Sequence, residues 1–363
     1  MLRDLTIQNY RCFENFHMDG LERVNLFVGN NNSGKTSLLE AIYLLLSSDK
    51  SEALLETIDN RTDYFLNDNT FFYSIKHLFY NHQIKEKAKA KIGFNNKIPQ
   101  HLILEFSNSK RGKHYPNLSL PYLHCYEVQK RKSQIKGVET FLSLANKSFF
   151  INLENEEYIK IDRQYKKEKY IQIEKKISNC VLVSVNKLFF EKIALMWDTI
   201  VLTSKEAKII EALRIIDRNI ERLSFSSSSN ANLVRLKLEN VETPIPLSSM
   251  GEGMYRILVL AMSLVTAENG VLLVDEIETG LHYEAQTDMW RLILETAKEL
   301  NVQVFATTHS WDCIAAFQEA LSQIEDSSIG KLFRLDSKYG KLRAVEYDAE
   351  DLEIATREGI EVR

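Results

Sequence analysis

The sequence predicts an α/β fold, in which a mixed or parallel sheet flanked by helices is interrupted by a β-rich and helical insertion. Three observations lead there. The apolar runs Val24 to Val28, Val271 to Val274 and Val302 to Ala306 have the length and composition of strands buried on both faces. Segments with helical periodicity follow the first two of them. Between the first run and the other two, the composition shifts to Tyr, Lys and Asn in short alternating pieces.

Taken in order, the first 28 residues read as two strands: Leu5 and Ile7 alternate with polar neighbours, and Val24 to Val28 ends at a glycine. A glycine-rich turn leads into a helix over 36–46. Residues 50–95 read as helical and then irregular, with strands over 89–94 and 102–106. A β-rich insertion over 110–176 includes Tyr158-Ile159-Lys160-Ile161 and Tyr170-Ile171-Gln172-Ile173. Residues 186–222 turn helical, with Ile209, Ala212, Leu213, Ile216 and Ile220 on one stripe. Ser224 to Asn232, almost all Ser and Asn, has the composition of a flexible joint. Strand 233–238, helix 253–264 and helix 283–300 complete the α/β pattern. The expected divisions are an N-terminal lobe over 1–107, the insertion over 108–178, a helical segment over 179–225 and a C-terminal lobe over 226–363.

The 363 residues suffice for two or three domains around a sizeable core. The balance of 46 Lys+Arg against 50 Asp+Glu hides an uneven distribution, because residues 110–176 hold 15 Lys+Arg and only 8 Asp+Glu. No stretch approaches the roughly 20 apolar residues of a membrane span, and Met1 to Gln8 mixes charges where a signal peptide would not, so a cytoplasmic protein with no membrane partner is expected. Cys12, Cys125, Cys180 and Cys313 are far apart with no C-x-x-C pair, which argues against a zinc knuckle and a disulfide framework.

Gly29-Asn30-Asn31-Asn32-Ser33-Gly34-Lys35-Thr36 is a complete G-x-x-x-x-G-K-[ST] phosphate loop between an apolar strand and a helix, followed by Ser37. Its glycines let the backbone wrap around phosphate. Lys35 reaches the β- and γ-phosphates, and Thr36 offers a hydroxyl to Mg²⁺. Val271-Leu272-Leu273-Val274-Asp275-Glu276 places two carboxylates at the end of a buried strand, with Asp275 suited to hold Mg²⁺ and Glu276 to polarise an attacking water. In Leu247-Ser248-Ser249-Met250-Gly251-Glu252-Gly253, Ser249, the glycine amides and the following helix N-terminus make a second anion site. His309 ends another buried strand within Thr307-Thr308-His309-Ser310.

That order of segments, together with Ile7-Gln8-Asn9-Tyr10-Arg11-Cys12-Phe13 and Val274-Asp275-Glu276-Ile277-Glu278-Thr279-Gly280-Leu281-His282, resembles the ABC-type ATPases of the RecF, SMC and OLD group. The likeness covers the two ends of the chain, the lobes of the ATPase head. It implies an ABC-type P-loop ATPase head that sandwiches ATP and Mg²⁺ between two subunits, so the partner is a second copy of the chain in a dimer or higher oligomer. Ser249, Gly251 and Glu252 would then face the γ-phosphate held by the opposite subunit's Lys35, Arg11 would contact nucleotide phosphate, Glu278 to His282 would cross the seam, and His309 would sense the γ-phosphate. For the glutamine that such proteins place near Mg²⁺ and water, Gln83 and Gln100 both qualify.

The resemblance further implies control of a separate effector, a nuclease or toxin encoded nearby, in anti-phage defence. Only 54 residues follow His309, without a second acidic strand end, so a nuclease is expected on another chain. The alternative is a RecF-like ATPase acting on DNA. Lys130-Arg131-Lys132, Lys166 to Lys169 and Lys175-Lys176, interleaved with Tyr115, Tyr122, Tyr126, Tyr165 and Tyr170, could bind nucleic acid or an acidic protein, or form the solvated face of a sheet. A transporter subunit or a small-molecule kinase fits less well, since the Arg11 segment belongs to the soluble group and a kinase has no need of the Ser249 segment.

Overall fold

The computed structural model describes residues 1–61, 64–67, 70–84, 88–95, 100–107, 122–135, 138–154, 158–162, 179–184, 190–228, 231–338 and 341–363. Its first elements are β1 (Leu5–Tyr10), β2 (Phe13–Met18), β3 (Val24–Val28), α1 (Lys35–Leu46), α2 (Lys50–Asp59), β4 (Tyr64–Asn67), β5 (Thr70–Ser74), β6 (Lys89–Phe94) and β7 (Gln100–Ser107). Then come β8 (Tyr122–Ile135), β9 (Val138–Glu154), β10 (Tyr158–Asp162), β11 (Cys180–Val183), α3 (Phe190–Ile200), α4 (Ser204–Leu213), β12 (Ile220–Ser228), β13 (Ala231–Leu238) and β14 (Ile245–Pro246). The chain closes with α5 (Glu252–Thr266), β15 (Val271–Val274), α6 (Tyr283–Glu299), β16 (Gln303–Thr307), α7 (Trp311–Ser322), β17 (Gly330–Lys338), β18 (Lys341–Tyr347) and α8 (Ala349–Arg357).

Two compact units interleave along the chain. One comprises 1–21, 32–173 and 335–344, the other 22–31, 174–334 and 345–363. The first is built on a nine-stranded sheet in the order β2-β1-β6-β7-β8-β9-β10-β5-β4. Alternation selects its buried face: Leu5, Ile7, Ala90, Ile92, Leu102, Leu104, Leu123 and Cys125 are all inside. Helix α1 packs on β6 and β7 with Leu38, Leu39, Ala41 and Ile42 buried. Its last carbonyls are capped by a lysine. Lys50 Nζ donates to Leu45 O and Ser47 O at 2.7 Å each and lies 3.0 Å from Glu127 Oε1 on β8. Strands β7 and β8 pair directly on either side of the boundary expected at 107/108, so the backbone hydrogen bonding continues from the N-terminal strands into the insertion.

The second unit holds β11, β15, β16, β3 and the start of β17, which run parallel in that order within a six-stranded sheet β11-β15-β16-β3-β17-β18. The parallel register sets the carboxyl ends of β3, β15 and β16 along one edge, with Val274 opposite Ala306 and Thr307 opposite Phe27. Helices α5, α6 and α7 supply the surrounding core, including Met254, Ile257, Trp290 and Phe317. Trp290 is fully buried because its Nε1 donates to Cys313 O at 3.2 Å. Asn25, inside the apolar β3 run, is also fully buried. Its Oδ1 accepts from Glu22 N at 2.8 Å, and its Nδ2 donates to Glu22 O at 2.7 Å and Val304 O at 3.2 Å.

Several expectations need correction. The first 28 residues form three strands, because Phe13–Met18 returns antiparallel on β1. Residues 64–67 and 70–74, within the stretch read as irregular, pair as strands. The Ser- and Asn-rich joint is a hairpin: β12 and β13 pair antiparallel from Ile220↔Leu238 to Ser228↔Ala231, and cross-strand bonding satisfies a backbone whose composition read as a breaker. The 186–222 helix is two, α3 and α4. The buried stripe stops at Leu213, since Ile216 is exposed in a turn and Ile220 begins β12. Tyr158–Asp162 is a strand between β9 and β5, whereas Tyr170 to Ile173, Tyr115, Tyr165, Lys166 to Lys169, Lys175 and Lys176 lie outside the described residues. Among the described residues no helix is long and apolar enough to cross a membrane, and none of the four cysteines is in a disulfide.

The buried amide of Asn25 gives a direct test of the second unit. Asn25→Ala removes three hydrogen bonds and strands a backbone amide and carbonyls in the core, so we expect about 2–3 kcal/mol of destabilisation, read as a lower urea midpoint; an unchanged midpoint would refute this account of β3.

Candidate active site

Strand β3 delivers the phosphate loop to the carboxyl edge of the six-stranded sheet, where Thr308 N donates to Phe27 O at 3.1 Å. Gly29, Asn32 and Gly34 have φ of 142, 64 and 92, turns that β-branched residues would resist. At Gly34 space is also decisive, because an added Cβ would lie 2.7 Å from Cys12 Sγ and 3.2 Å from the Phe13 ring. Gly34 is the N-cap of α1 and no side chain caps that helix, which leaves its first amides and positive dipole end to an anion. Asn30, Asn31 and Asn32 are exposed, Thr36 is half-buried, and Lys35 is 5% exposed. The Ser33 hydroxyl is buried with no hydrogen-bond partner, an orphan donor that a phosphate oxygen would satisfy.

Beside this loop a carboxylate collects two arginines. Glu40, 3% exposed on α1, sits 2.8 Å from Arg11 Nε through Oε2 and accepts from Arg61 Nε at 2.7 Å through Oε1. Arg61 also donates to Ser37 Oγ at 3.1 Å, so Ser37, counted among the nucleotide-binding residues from sequence, is directed to Arg61. Arg11 has φ 51 in the β1–β2 turn, donates from its backbone N to Leu78 O at 3.1 Å and lies over the Tyr10 ring. Arg11 thus places its Nε against Glu40. Buried Glu40 draws it there.

The acidic edge is ordered by a single hydroxyl. Thr307 Oγ1 donates to Asp275 Oδ1 at 2.6 Å and accepts from Glu276 N at 2.9 Å. Glu276 has φ 46, an uncommon conformation for this residue. Arg256, buried on α5, pins that bend by donating Nη2 to Asp275 O at 3.0 Å and Glu276 O at 2.6 Å and Nε to Ile277 O at 3.4 Å. Burial pushes the Arg256 guanidinium below its ordinary pKa, and Glu278, Asp275, Glu276 and Glu252 oppose that shift. Glu276 Oε1 then stands 3.9 Å from His309 Nε2, with both side chains partly exposed. Glu278 fixes the histidine's backbone, since its Oε1 accepts from His309 N at 3.1 Å, and Arg363 Nη1 donates to His309 O at 3.2 Å.

Ser249, Gly251 and Glu252 are exposed at the start of α5. Gly251 has φ 87, and a Cβ there would meet nothing within 4 Å, so this position is open, while a Cβ on Gly253 would lie 3.1 Å from Gly280 O. This segment touches the loop after Glu278, where a Cβ on Gly280 would lie 2.8 Å from Glu252 Cγ.

The sequence reading found Asp275, Glu276 and His309, which the second unit brings to one edge with the first residues of the phosphate loop. It missed Arg256, Thr307 and Arg363. Arg256 follows Glu252 by one helical turn, and Thr307 precedes His309 by two residues, faint signals until the fold is known. Gln83 and Gln100 now separate. The Tyr10↔Phe79 bridge keeps the segment before Gln83 at the end of β1 that carries Arg11 and Cys12. Gln100 pairs with Phe94, beyond the opposite end of β1.

Comparison with known proteins agrees with this geometry. Residues 1–314 match the family described as AAA ATPase domain. An "ATP/GTP phosphatase" of Helicobacter pylori is 25% identical over 361 residues, covering 93% of this chain and 94% of that protein. A "DNA replication and repair protein RecF" of Streptococcus pyogenes is 21% identical over 354 residues, covering 88% and 95%. The solved structure of an SMC head bound to the C-terminal winged-helix domain of ScpA superposes with a TM-score of 0.50 at 13% identity, covering 98% of this chain and 99% of that chain, a likeness of fold. The phosphate loop, the Asp275-Glu276 strand end and the matched residues agree: the chain belongs to the AAA ATPase domain family.

Proposed function

We propose that this ATPase binds ATP with Mg²⁺ in the cytoplasm, associates with a second copy of itself across the nucleotide, and is released by hydrolysis. The observation that carries this reading is the approach of Glu276 to His309 at 3.9 Å, on the sheet edge where β3 passes into the phosphate loop. Ser33, Gly34 and Lys35 suit the phosphates through an orphan hydroxyl, an uncapped helix start and an ammonium group. The Thr36 hydroxyl and, separately, the Asp275 carboxylate are each an oxygen donor of the kind Mg²⁺ prefers. Bound there, Mg²⁺ would neutralise charge developing on the phosphates. Glu276 accepts a proton from the attacking water, and His309 holds that carboxylate in place and supplies a donor toward the transferred group. Ser249, Gly251 and the open start of α5 contribute the same kind of anion site to a neighbouring subunit's nucleotide.

The assembly's output, on this reading, is control of a separate effector encoded nearby, a nuclease or toxin, in anti-phage defence. A second reading is favoured by the RecF relative that spans most of the chain: action on DNA in repair or recombination. Hydrolysis measured with and without DNA separates them. Stimulation that fades with salt supports the second reading, and a rate indifferent to DNA supports the first.

Two variants test the shared core. Lys35→Ala is expected to abolish nucleotide binding in a filter assay. Glu276→Gln is expected to keep ATP, lose at least about a hundredfold in turnover, and shift toward a dimer or larger species in ATP and Mg²⁺ by light scattering. Wild-type turnover in Glu276→Gln would remove the assigned base, and a monomeric mass under those conditions would remove the assembly.

A further inference from the structure

The segment between α2 and β6 contains a histidine pair that the ATPase machinery does not use. His77 Nδ1 and His82 Nδ1 are 3.0 Å apart, with the rings 4.8 Å centre to centre and nearly edge to face. The backbone makes an uncommon effort to bring them together. Two 3₁₀ turns, Lys76–Leu78 and Tyr80–His82, fold the segment back on itself, and Asn81 and His82 are consecutive residues with φ 55. Consecutive non-glycine residues in the left-handed region cost free energy that the surroundings must offset, and such positions cluster at ligand sites. The surroundings are firm here: Phe79 and Leu78 are buried, Phe79 bridges Tyr10, and Leu78 O accepts from Arg11 N at 3.1 Å.

We propose that His77 and His82 form a two-point chelate for an imidazole-preferring divalent transition metal such as Zn²⁺, Ni²⁺ or Cu²⁺. Metal–imidazole bonds of about 2.0–2.1 Å give an N···N separation near 3.0 Å for adjacent octahedral positions, which is the separation present, and about 3.3 Å for tetrahedral ones, a few tenths of an ångström away. Without metal the two atoms share a proton, so one ring carries hydrogen on Nδ1. With metal both rings carry it on Nε2 and both Nδ1 lone pairs point at the ion, a tautomer change that needs no net proton release from neutral rings. Neither ring presents a hard anionic oxygen, so Mg²⁺ and Ca²⁺ are not its ions. Water or an exogenous donor completes the coordination. The chelate closes the turn that carries the Arg11 hydrogen bond and leads directly into Gln83.

Zn²⁺ is titrated by calorimetry into the full chain in excess Mg²⁺, and Cu²⁺ is examined by electron paramagnetic resonance. The wild type should bind Zn²⁺ at a site that disappears or weakens at least tenfold in both His77→Ala and His82→Ala, and bound Cu²⁺ should show two imidazole nitrogens that fall to one in either variant. His82→Asn, which suits a left-handed backbone, guards against misfolding and should behave like the alanine variants while keeping the wild-type melting temperature. Zn²⁺ binding that survives unchanged in all three variants, or a wild type that binds none, overturns the site. Neither readout depends on hydrolysis, so a failure here is distinct from a failure of the proposed function.

Discussion

The hydroxyl of Thr307 is the contact on which the acidic edge of the six-stranded sheet depends. It gives its proton to one carboxylate and takes a hydrogen bond from the backbone of the next residue, so Asp275 and Glu276 are placed by the same atom. Two adjacent carboxylates would otherwise repel and splay. Arg256 completes the arrangement by donating to three successive carbonyls, those of Asp275, Glu276 and Ile277. A buried guanidinium is costly unless its donors are used, and here its burial is balanced by acceptors and by the nearby acidic groups. The helix that begins with the Ser249 segment therefore also holds the bend at Glu276. Changes at the start of α5 have a route to Glu276 of one helical turn, from Glu252 to Arg256, and one hydrogen bond, from Arg256 Nη2 to Glu276 O.

A comparable economy holds around the phosphate loop. Gly34 is confined by Cys12 and Phe13, and α1 behind it is held at its first turns by Glu40 between two arginines and at its last by Lys50 and Glu127. Charges buried this way add little net stability against an apolar alternative, but removing one partner strands the other. Their effect is positional: α1 is fixed at both ends, so the amides at its start keep a constant aim.

The sequence revealed most of what chemistry dictates locally. The β3 run, the phosphate loop, α1, β15 and the acidic strand end were legible because steric and periodic rules act within a few residues there. What it concealed depends on long-range pairing. Ser224 to Ser228 is a strand only because residues 231–238 face it, and the insertion joins the N-terminal sheet only because β7 accepts β8. The Arg11–Glu40 pair illustrates the same limit within the site, since Glu40 lies on a helix with no sequence signal linking it to Arg11. Thr307 and Arg256 stayed silent for that reason: each acts on atoms supplied by a different strand.

Comparing Thr307→Val and Thr307→Ser in steady-state ATP hydrolysis tests whether one hydroxyl places both the Asp275 carboxylate and the Glu276 backbone. The valine keeps the shape and loses the hydroxyl, and a hydrogen bond to a charged group is worth about 1.5–3 kcal/mol, so turnover should fall by roughly 10- to 150-fold. The serine should retain most of it. Wild-type turnover in Thr307→Val, or equal losses in the two variants, would contradict the claim.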